Sequence, residues 1–254
     1  MILPSGCWRS KLRSVAFSCI TALCALPGLS SADGSSAPSA QTIDYGALTR
    51  ELTLNHTADN RITIAMWMPD QFWRSAFQMS GRLTDKAIAD YIAVVHPYTL
   101  ISVLDAQQGM TGIHFSETEV LDSEVTIEDS HGVTYGPLPP DSVAEDIRNL
   151  IQMMRPLLSN SMGAMGQHME ILVFPSTDKA GHPIADPRGD GFLTVHIRNI
   201  ALRYRLPLGS VLPPSLDPRT GDSFPGSYRF NPYTGTKLVM RAPDTYAGSA
   251  PKPQ

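Results

Sequence analysis

The chain has very few cysteines, and they are all close to its N-terminus. They are Cys7, Cys19 and Cys24. The first 32 residues begin with basic residues, continue with an uncharged apolar run at 15–26 and end in small residues. This order is typical of a secretory signal peptide, and the run is shorter than the roughly 20 residues that a membrane-spanning helix needs. We therefore expect residues 1–32 to be a signal peptide that is cleaved near Ala32.

Cleavage at that point leaves a mature chain without cysteine, which excludes disulfides, thiol nucleophiles and thiolate metal sites. The mature part keeps 17 Lys plus Arg against 24 Asp plus Glu. This acidic balance argues against nucleic acid and anionic membrane surfaces as partners, because both require a basic face. We expect an exported protein, periplasmic or secreted, with no transmembrane span in the mature chain. Its partner is expected to be an envelope protein or a small ligand of unknown identity.

The sequence also has few signals of catalysis. It contains no Gly-x-Ser-x-Gly elbow, no His-Glu-x-x-His and no glycine-rich phosphate loop. The pairs His114 with Glu117 and His168 with Glu170 have the residue types of an acid–base pair, but so does any histidine near an acid. A hydrolase with a pocket near His114 is therefore kept as an alternative function. No catalytic residue, cofactor-binding residue, metal ligand or cofactor is assigned from the sequence.

Two segments carry residue types that metals prefer. Met162, Met165, His168 and Met169 fall near one face of a helical pattern, and thioethers with imidazole suit Cu(I). Methionine also fills irregular cores, so core packing or a flexible apolar groove is the simpler interpretation. Periplasmic copper handling is kept as an alternative function. Hard oxygens at Asp178, Asp186 and Asp190 suit calcium, but their spacing matches no EF-hand, and a solvated loop with capped turns is the simpler interpretation.

Two other groups of residues have simple structural interpretations. Trp67 and Trp73 flank a predicted strand–helix junction, where they are core anchors before they are sugar-stacking residues. The segment 117–129 is rich in acids and is expected to be a solvated face. Its acids are Glu117, Glu119, Asp122, Glu124, Glu128 and Asp129.

The clearest internal pattern lies near the C-terminus. Residues 217–221 read Asp-Pro-Arg-Thr-Gly and residues 231–235 read Asn-Pro-Tyr-Thr-Gly. Proline and glycine take the places that they have in the Cys-Pro-x-Cys-Gly turns of zinc knuckles. Segment 216–238 therefore resembles a zinc ribbon in which all four cysteines are replaced. The four ligand positions are Asp217, Thr220, Asn231 and Thr234.

The replacements are poor zinc ligands, because a neutral threonine hydroxyl and an asparagine amide bind zinc weakly. Asp and Asn before proline favour turns in which the side-chain oxygen accepts a backbone N–H two residues on. Asp217 and Asn231 can thus hold both turns without a metal. The folding free energy that a metal supplies must then come from docking, for which residues 206–214 offer apolar surface.

Helix and strand patterns recur without the strict alternation of a doubly wound fold, which predicts an α+β fold with a mainly antiparallel sheet and three to four helices. Strands are predicted at 62–68, 98–104, 110–115, 125–128, 133–135, 168–174, 192–197 and 201–206. Helices are predicted at 70–79, 84–95 and 143–155, the last one restarted or kinked by Pro156 and continuing to about 165. Turns are predicted at 107–109 and 129–132.

The organisation expected from these patterns has five parts. They are the signal peptide at 1–32, a disordered linker at 33–42, a main domain at 43–206, a degenerate ribbon at 207–241 docked on that domain, and a disordered tail at 242–254. The function that we expect is a non-enzymatic binding or accessory role in the cell envelope. The rest of the chain, apart from the ribbon segment, resembles no family that we recognise.

Overall fold

The structure is a computed structural model that describes residues 43–240. The expected signal peptide, the expected linker at 33–42 and the expected tail at 242–254 lie outside the described residues. Within the described range, no helix is both long enough and apolar enough to cross a membrane.

The described residues contain six α-helices and twelve strands. The helices are α1 (Tyr45–Leu52), α2 (Asp70–Ser80), α3 (Asp85–Val95), α4 (Thr118–Glu124), α5 (Glu145–Met162) and α6 (Ala164–Gln167). The strands up to residue 135 are β1 (Thr53–Ala58), β2 (Arg61–Trp67), β3 (Tyr98–Gly109), β4 (Gly112–Phe115), β5 (Val125–Glu128) and β6 (Thr134–Tyr135). The later strands are β7 (Glu170–Pro175), β8 (Gly191–Ile197), β9 (Ile200–Leu206), β10 (Ser215–Leu216), β11 (Ser223–Phe224) and β12 (Val239–Met240).

The strands form three sheets, and every pairing between them is antiparallel. In the first sheet, β3 lies between β2 on one side and β7 and β4 on the other, with β1 outside β2. The second sheet has the order β6-β5-β8-β9, and the third and smallest has the order β11-β10-β12. The predicted α+β class with mainly antiparallel sheets is confirmed. Four of the six helices have eight residues or more, and α4 and α6 are shorter.

The first two sheets share one apolar core. Trp67 of β2 meets Tyr204 of β9 edge to face, with 5.8 Å between ring centroids. The hydroxyl of Tyr204 donates a hydrogen bond of 2.9 Å to the carbonyl of Ala65 on β2. Burial raises the pKa of Tyr204, so this hydroxyl keeps its proton and remains a donor. The tryptophans are core anchors, as the simpler interpretation predicts, because Trp67 and Trp73 are 2% and 4% exposed.

Predictions from local patterns agree well with the structure. The helix predicted at 84–95 is α3, and the Thr84 hydroxyl caps it by accepting a hydrogen bond from the Ala87 amide. The predicted hairpin is formed by β5 and β6, with Ile127 opposite Tyr135. The strand predicted at 98–104 is β3, which is central in its sheet but extends to Gly109, so the turn predicted at 107–109 is wrong. The chain instead turns at 110–111, between β3 and β4.

Asp70, and Ser142 with Glu145, have residue types and positions that favour helix N-caps, but they cap no helix here. Asp70 is the first residue of α2 and caps nothing, because its carboxylate lies 2.6 Å from His96 Nδ1. A capping box of Ser142 with Glu145 does not form, since α5 begins at Glu145 with no side-chain cap at its N-terminus. The helix α5 also continues through Pro156 without ending there.

Candidate functional site

The C-terminal segment 216–240, called the ribbon below, consists of two turns with nearly identical hydrogen bonding. In the first turn, Asp217 Oδ1 accepts from the Arg219 amide at 2.8 Å and the Asp217 carbonyl accepts from the Gly221 amide at 2.8 Å. In the second turn, Asn231 Oδ1 accepts from the Tyr233 amide at 2.9 Å. The prediction that these two side chains hold the turns through their own backbone is confirmed.

The glycines that close the two turns have the same backbone conformation. Gly221 has φ of 77° and Gly235 has φ of 71°, in the left-handed region that other residues rarely adopt. The Gly235 amide donates to the Asn231 carbonyl at 2.8 Å, as Gly221 does in the first turn. The repeated sequence therefore specifies a repeated backbone geometry.

Side chains join the two turns to each other. Asn231 Nδ2 donates to Asp217 Oδ2 at 2.6 Å, and both residues are buried, 3% and 1% exposed. The Thr234 hydroxyl lies 3.5 Å from the same Oδ2 atom. Thr220 differs, because its hydroxyl donates to the Asp222 carboxylate at 2.7 Å. Three of the four positions at which the resemblance places ligands therefore meet, and a charge-assisted hydrogen bond joins two of them.

These bonds favour the charged form of Asp217. Its pKa is lowered, first by the hydrogen bond from Asn231 and then by the backbone amide of Arg219. A carboxyl whose pKa is lower in the folded chain contributes stability above its unfolded pKa of about 4, and this contribution is lost as the pH falls through the folded value.

Acidification is therefore expected to open the ribbon before the main core. The amide signals of Arg219 and Gly221, followed by NMR from neutral pH to below about pH 4, are expected to shift together as Asp217 takes up a proton. The variant Asp217→Asn removes the titrating group and serves as control. If the same titration is seen in that variant, the assignment to Asp217 is wrong.

The segment before the ribbon is bound to the main core by both apolar and polar contacts. Leu208 and Val211 are 1% and 2% exposed and belong to the core. The Glu51 carboxylate on α1 accepts hydrogen bonds from the Gly209 amide at 2.7 Å and from the Ser210 amide at 2.9 Å. Gly226 fits so closely beneath Leu212 that an added Cβ would lie 2.4 Å from the Leu212 Cβ. Glycine is therefore required at that position.

The histidine–acid pairs considered in the sequence are not brought together. Within the described residues, no hydrogen bond joins His114 to Glu117, and the His114 ring lies 3.1 Å from the Thr111 hydroxyl. His168 stacks on Phe115 with 4.0 Å between centroids. Glu170 is buried and accepts from Arg155 at 2.7 Å and from Thr118 at 2.8 Å.

Sequence inspection missed one catalytic spacing, because Ser176 and Lys179 form a Ser-x-x-Lys pattern. These two residues follow strand β7, and Lys179 is exposed. No hydrogen bond joins their side chains in the described part of the chain. The spacing therefore carries no catalytic assignment.

The two candidate metal segments have different outcomes. Asp178 Oδ1 accepts from the Ala180 and His182 amides at 2.8 Å, and Asp186 Oδ1 accepts from the Arg188 amide at 2.9 Å. These are capped turns of an exposed loop, as the simpler interpretation predicts. In residues 43–240, no group of three or more His, Cys, Asp or Glu residues is arranged to hold a metal ion.

The methionine segment is divided between core and surface. Met169 is buried at 5% exposure, Met165 is half-buried and His168 is exposed on Phe115. The structure does not describe the side chain of Met162. Copper handling by Met162, Met165 and His168 stays a prediction from the sequence.

The acid-rich segment is only partly the solvated face that the sequence predicts. Asp129 is buried at 5% exposure and accepts from the amides of His131 at 2.8 Å and Val133 at 2.9 Å, as well as from the Tyr135 hydroxyl. These hydrogen bonds lower its pKa against the opposing effect of burial. Asp129 therefore closes the β5–β6 hairpin, and the expectation of a solvated acid is wrong at this position.

Sequence reasoning also missed a buried ionic cluster around Asp105, which we call the Asp105 cluster. Asp105 on β3 has a 1% exposed side chain that lies 2.5 Å from Arg61 on β2 and 3.3 Å from Arg198, which follows β8. The hydroxyls of Thr63 and Ser116 donate to the same carboxylate at 2.7 Å and 2.6 Å. This cluster links the two larger sheets. An acid directly after an apolar run was its only signal in the sequence.

Comparisons with protein-family models, curated proteins and solved structures found no match.

Proposed function

We propose that this chain is an exported, non-enzymatic binding or accessory protein of the cell envelope, with the ribbon as its recognition element. Export is supported by the signal-like pattern of residues 1–32, which lies outside the described residues. The observation that carries the binding role is the exposure of large apolar side chains on the ribbon.

Exposed apolar side chains are concentrated on this small element. Five of the eleven large apolar side chains that are exposed in residues 43–240 belong to the 25 residues of the ribbon. They are Tyr228, Phe230, Tyr233, Val239 and Met240. Tyr233 is 87% exposed and Phe230 is 57% exposed. Aromatic residues of this kind are enriched at the centres of protein interfaces, and the hydrogen-bonded turns hold them in place before binding.

The charges of the ribbon define the chemistry of its partner. Arg219, Arg229 and Lys237 are exposed, and none of them is in an ion pair within the described residues. Its acids are Asp217, which is buried, and Asp222, which is exposed and accepts from the Thr220 hydroxyl, so the exposed cations outnumber the exposed acid. A cationic surface with exposed aromatics is complementary to a protein that has acidic side chains around an apolar pocket.

The proposal is tested by crosslinking the mature protein in its own envelope fraction and comparing three forms. The wild type is expected to give defined crosslinked species, which the double variant Phe230→Ser with Tyr233→Ser loses. The control Met110→Ser removes a fully exposed apolar side chain from the β3–β4 turn. We expect this control to keep the wild-type crosslinks.

All three forms are expected to keep the same unfolding midpoint, because the altered side chains are exposed and such substitutions change stability by no more than about 0.5 kcal/mol. Crosslinks that are equal in the wild type and the ribbon variant contradict the proposed function. An enzymatic activity that survives the ribbon substitutions also contradicts it.

A further inference from the structure

A groove between α3 and α5 combines apolar side chains with acidic ones, which complements the aromatic and cationic ribbon. It has a volume of about 340 Å³ and is lined by Tyr91, Val94, Leu150 and Met153, with Asp90 and Asp146 beside them. Met153 is 59% exposed and Tyr91 is 40% exposed, so apolar surface is open to solvent here. The volume is at the lower end for ligand pockets and suits one large side chain rather than a whole cofactor.

The acids of this groove are available to a cationic partner. Asp146 is in no ion pair within the described residues. Asp90 is 2.8 Å from Lys86 on the same helix, but both side chains are largely exposed, at 67% and 83%. Exposed pairs of this spacing are weak, so Asp90 can exchange Lys86 for another cation at little cost.

We infer that the groove between α3 and α5 binds the ribbon of a second copy of this chain, with Tyr233 as the side chain that enters the groove. This inference rests on the proposed function and names the partner of the ribbon. The groove is apolar with acidic neighbours, and the ribbon is aromatic with cationic neighbours, so the two surfaces are complementary in both respects.

The two surfaces belong to different parts of the chain and do not occupy each other in one molecule. In the single chain Tyr233 is 87% exposed and the groove is open to solvent. A contact between two different surfaces is heterologous, so each bound copy still presents one free ribbon and one free groove. Association is therefore expected to continue beyond a dimer, or to close into a ring, as concentration rises.

Sedimentation of the purified mature protein at increasing concentrations tests the inference. Wild type is expected to associate reversibly, and Tyr233→Ser on the ribbon and Met153→Lys in the groove are each expected to raise the dissociation constant at least about tenfold. Raising the salt concentration to about 0.5 M is expected to weaken the wild-type association, because exposed charges are screened. Met110→Ser, in neither surface, is expected to behave as wild type.

Mixing the two variants gives the sharpest result. The Tyr233→Ser protein keeps an intact groove and the Met153→Lys protein keeps an intact ribbon, so the mixture is expected to form a 1:1 dimer although neither variant associates alone. A monomeric wild type, an association that both variants keep, or a mixture that does not form the dimer each overturns the inference. The crosslinking test then separates the two failures. If the double variant Phe230→Ser with Tyr233→Ser loses its envelope crosslinks, only the identity of the partner is wrong. If it keeps them, the proposed function fails as well.

Discussion

Cysteine at Asp217, Thr220, Asn231 and Thr234 is expected to turn the ribbon into a zinc site. The resemblance to zinc knuckles predicts this, and Gly221 and Gly235 close the two turns at positive φ. The buried Asp217 and Asn231 side chains already meet at 2.6 Å. Four thiolates are the ligand set of structural zinc sites, which contribute about 10–16 kcal/mol in small zinc peptides near pH 7.

The measurement is the metal content of the reduced four-cysteine variant, together with the absorption spectrum of its cobalt form. One tetrahedral metal per chain is expected, with an unfolding midpoint that falls when a chelator is added. The matched control replaces Thr236 instead of Thr234, so it has the same number of cysteines with one of them two residues out of place. If the four-cysteine variant binds no metal, or if the control binds it equally well, the two turns do not have the geometry of a zinc ribbon.

Neutralising the buried Asp105 is expected to cause a large loss of stability. The variant Asp105→Asn keeps the shape of the side chain but leaves Arg61 without its ion-pair partner and Arg198 with its pair to Glu124 alone. Removing one partner of a buried ion pair costs about 3–5 kcal/mol, and because the two arginines keep some contact with water we expect about 3 kcal/mol. The loss is measured as a lower urea midpoint with an unchanged slope.

The control for this prediction is Lys86→Gln, which breaks the exposed pair of Lys86 with Asp90. Because that pair is solvated, its loss is expected to change the free energy of unfolding by no more than about 0.5 kcal/mol. A change below about 1 kcal/mol for Asp105→Asn shows that the Asp105 cluster does not hold the two sheets together.

The parts of the fold that were predicted correctly depend on short-range patterns. Helix α3 was placed by apolar residues at helical spacing, among them Ile88, Ile92 and Val95, which are buried in the structure. The β5–β6 hairpin was predicted from two short strands around a turn. In both cases the interactions that fix the structure lie within about ten residues of one another in the sequence.

Other contacts were missed because the side chains involved bind partners that are distant in the sequence. Asp70 is a residue type that favours helix N-caps, but its carboxylate is hydrogen-bonded to His96, 26 residues away in the sequence. Asp105 contacts Arg61 across 44 residues, and only the pairing of β3 with β2 brings them together. Sequence patterns do not contain the register of a sheet, so contacts of this kind could not be predicted.

The ribbon lies between these two cases. The hydrogen bonds within each turn were predicted from Asp217 and Asn231, because they involve only the next few residues. The bond between the two side chains, which joins the turns, was not predicted, because its partners lie 14 residues apart and no local pattern relates them. The sequence does not show that Thr220 and Thr234 have different partners. The hydrogen bond from Thr220 to Asp222 depends on the orientation of one hydroxyl.

The central claim is that the hydrogen bonds made by Asp217 and Asn231, one of which joins the two residues, hold the ribbon without a metal. Amide hydrogen exchange at Gly221 and Gly235 in the wild-type chain, with excess zinc or with a chelator, tests it most directly. Both amides donate to a carbonyl within their own turn, at 2.8 Å in each case, so their protection reports directly on the two turns. Equal protection in zinc and in chelator is the predicted result, and protection that rises with zinc or disappears with the chelator would contradict the claim.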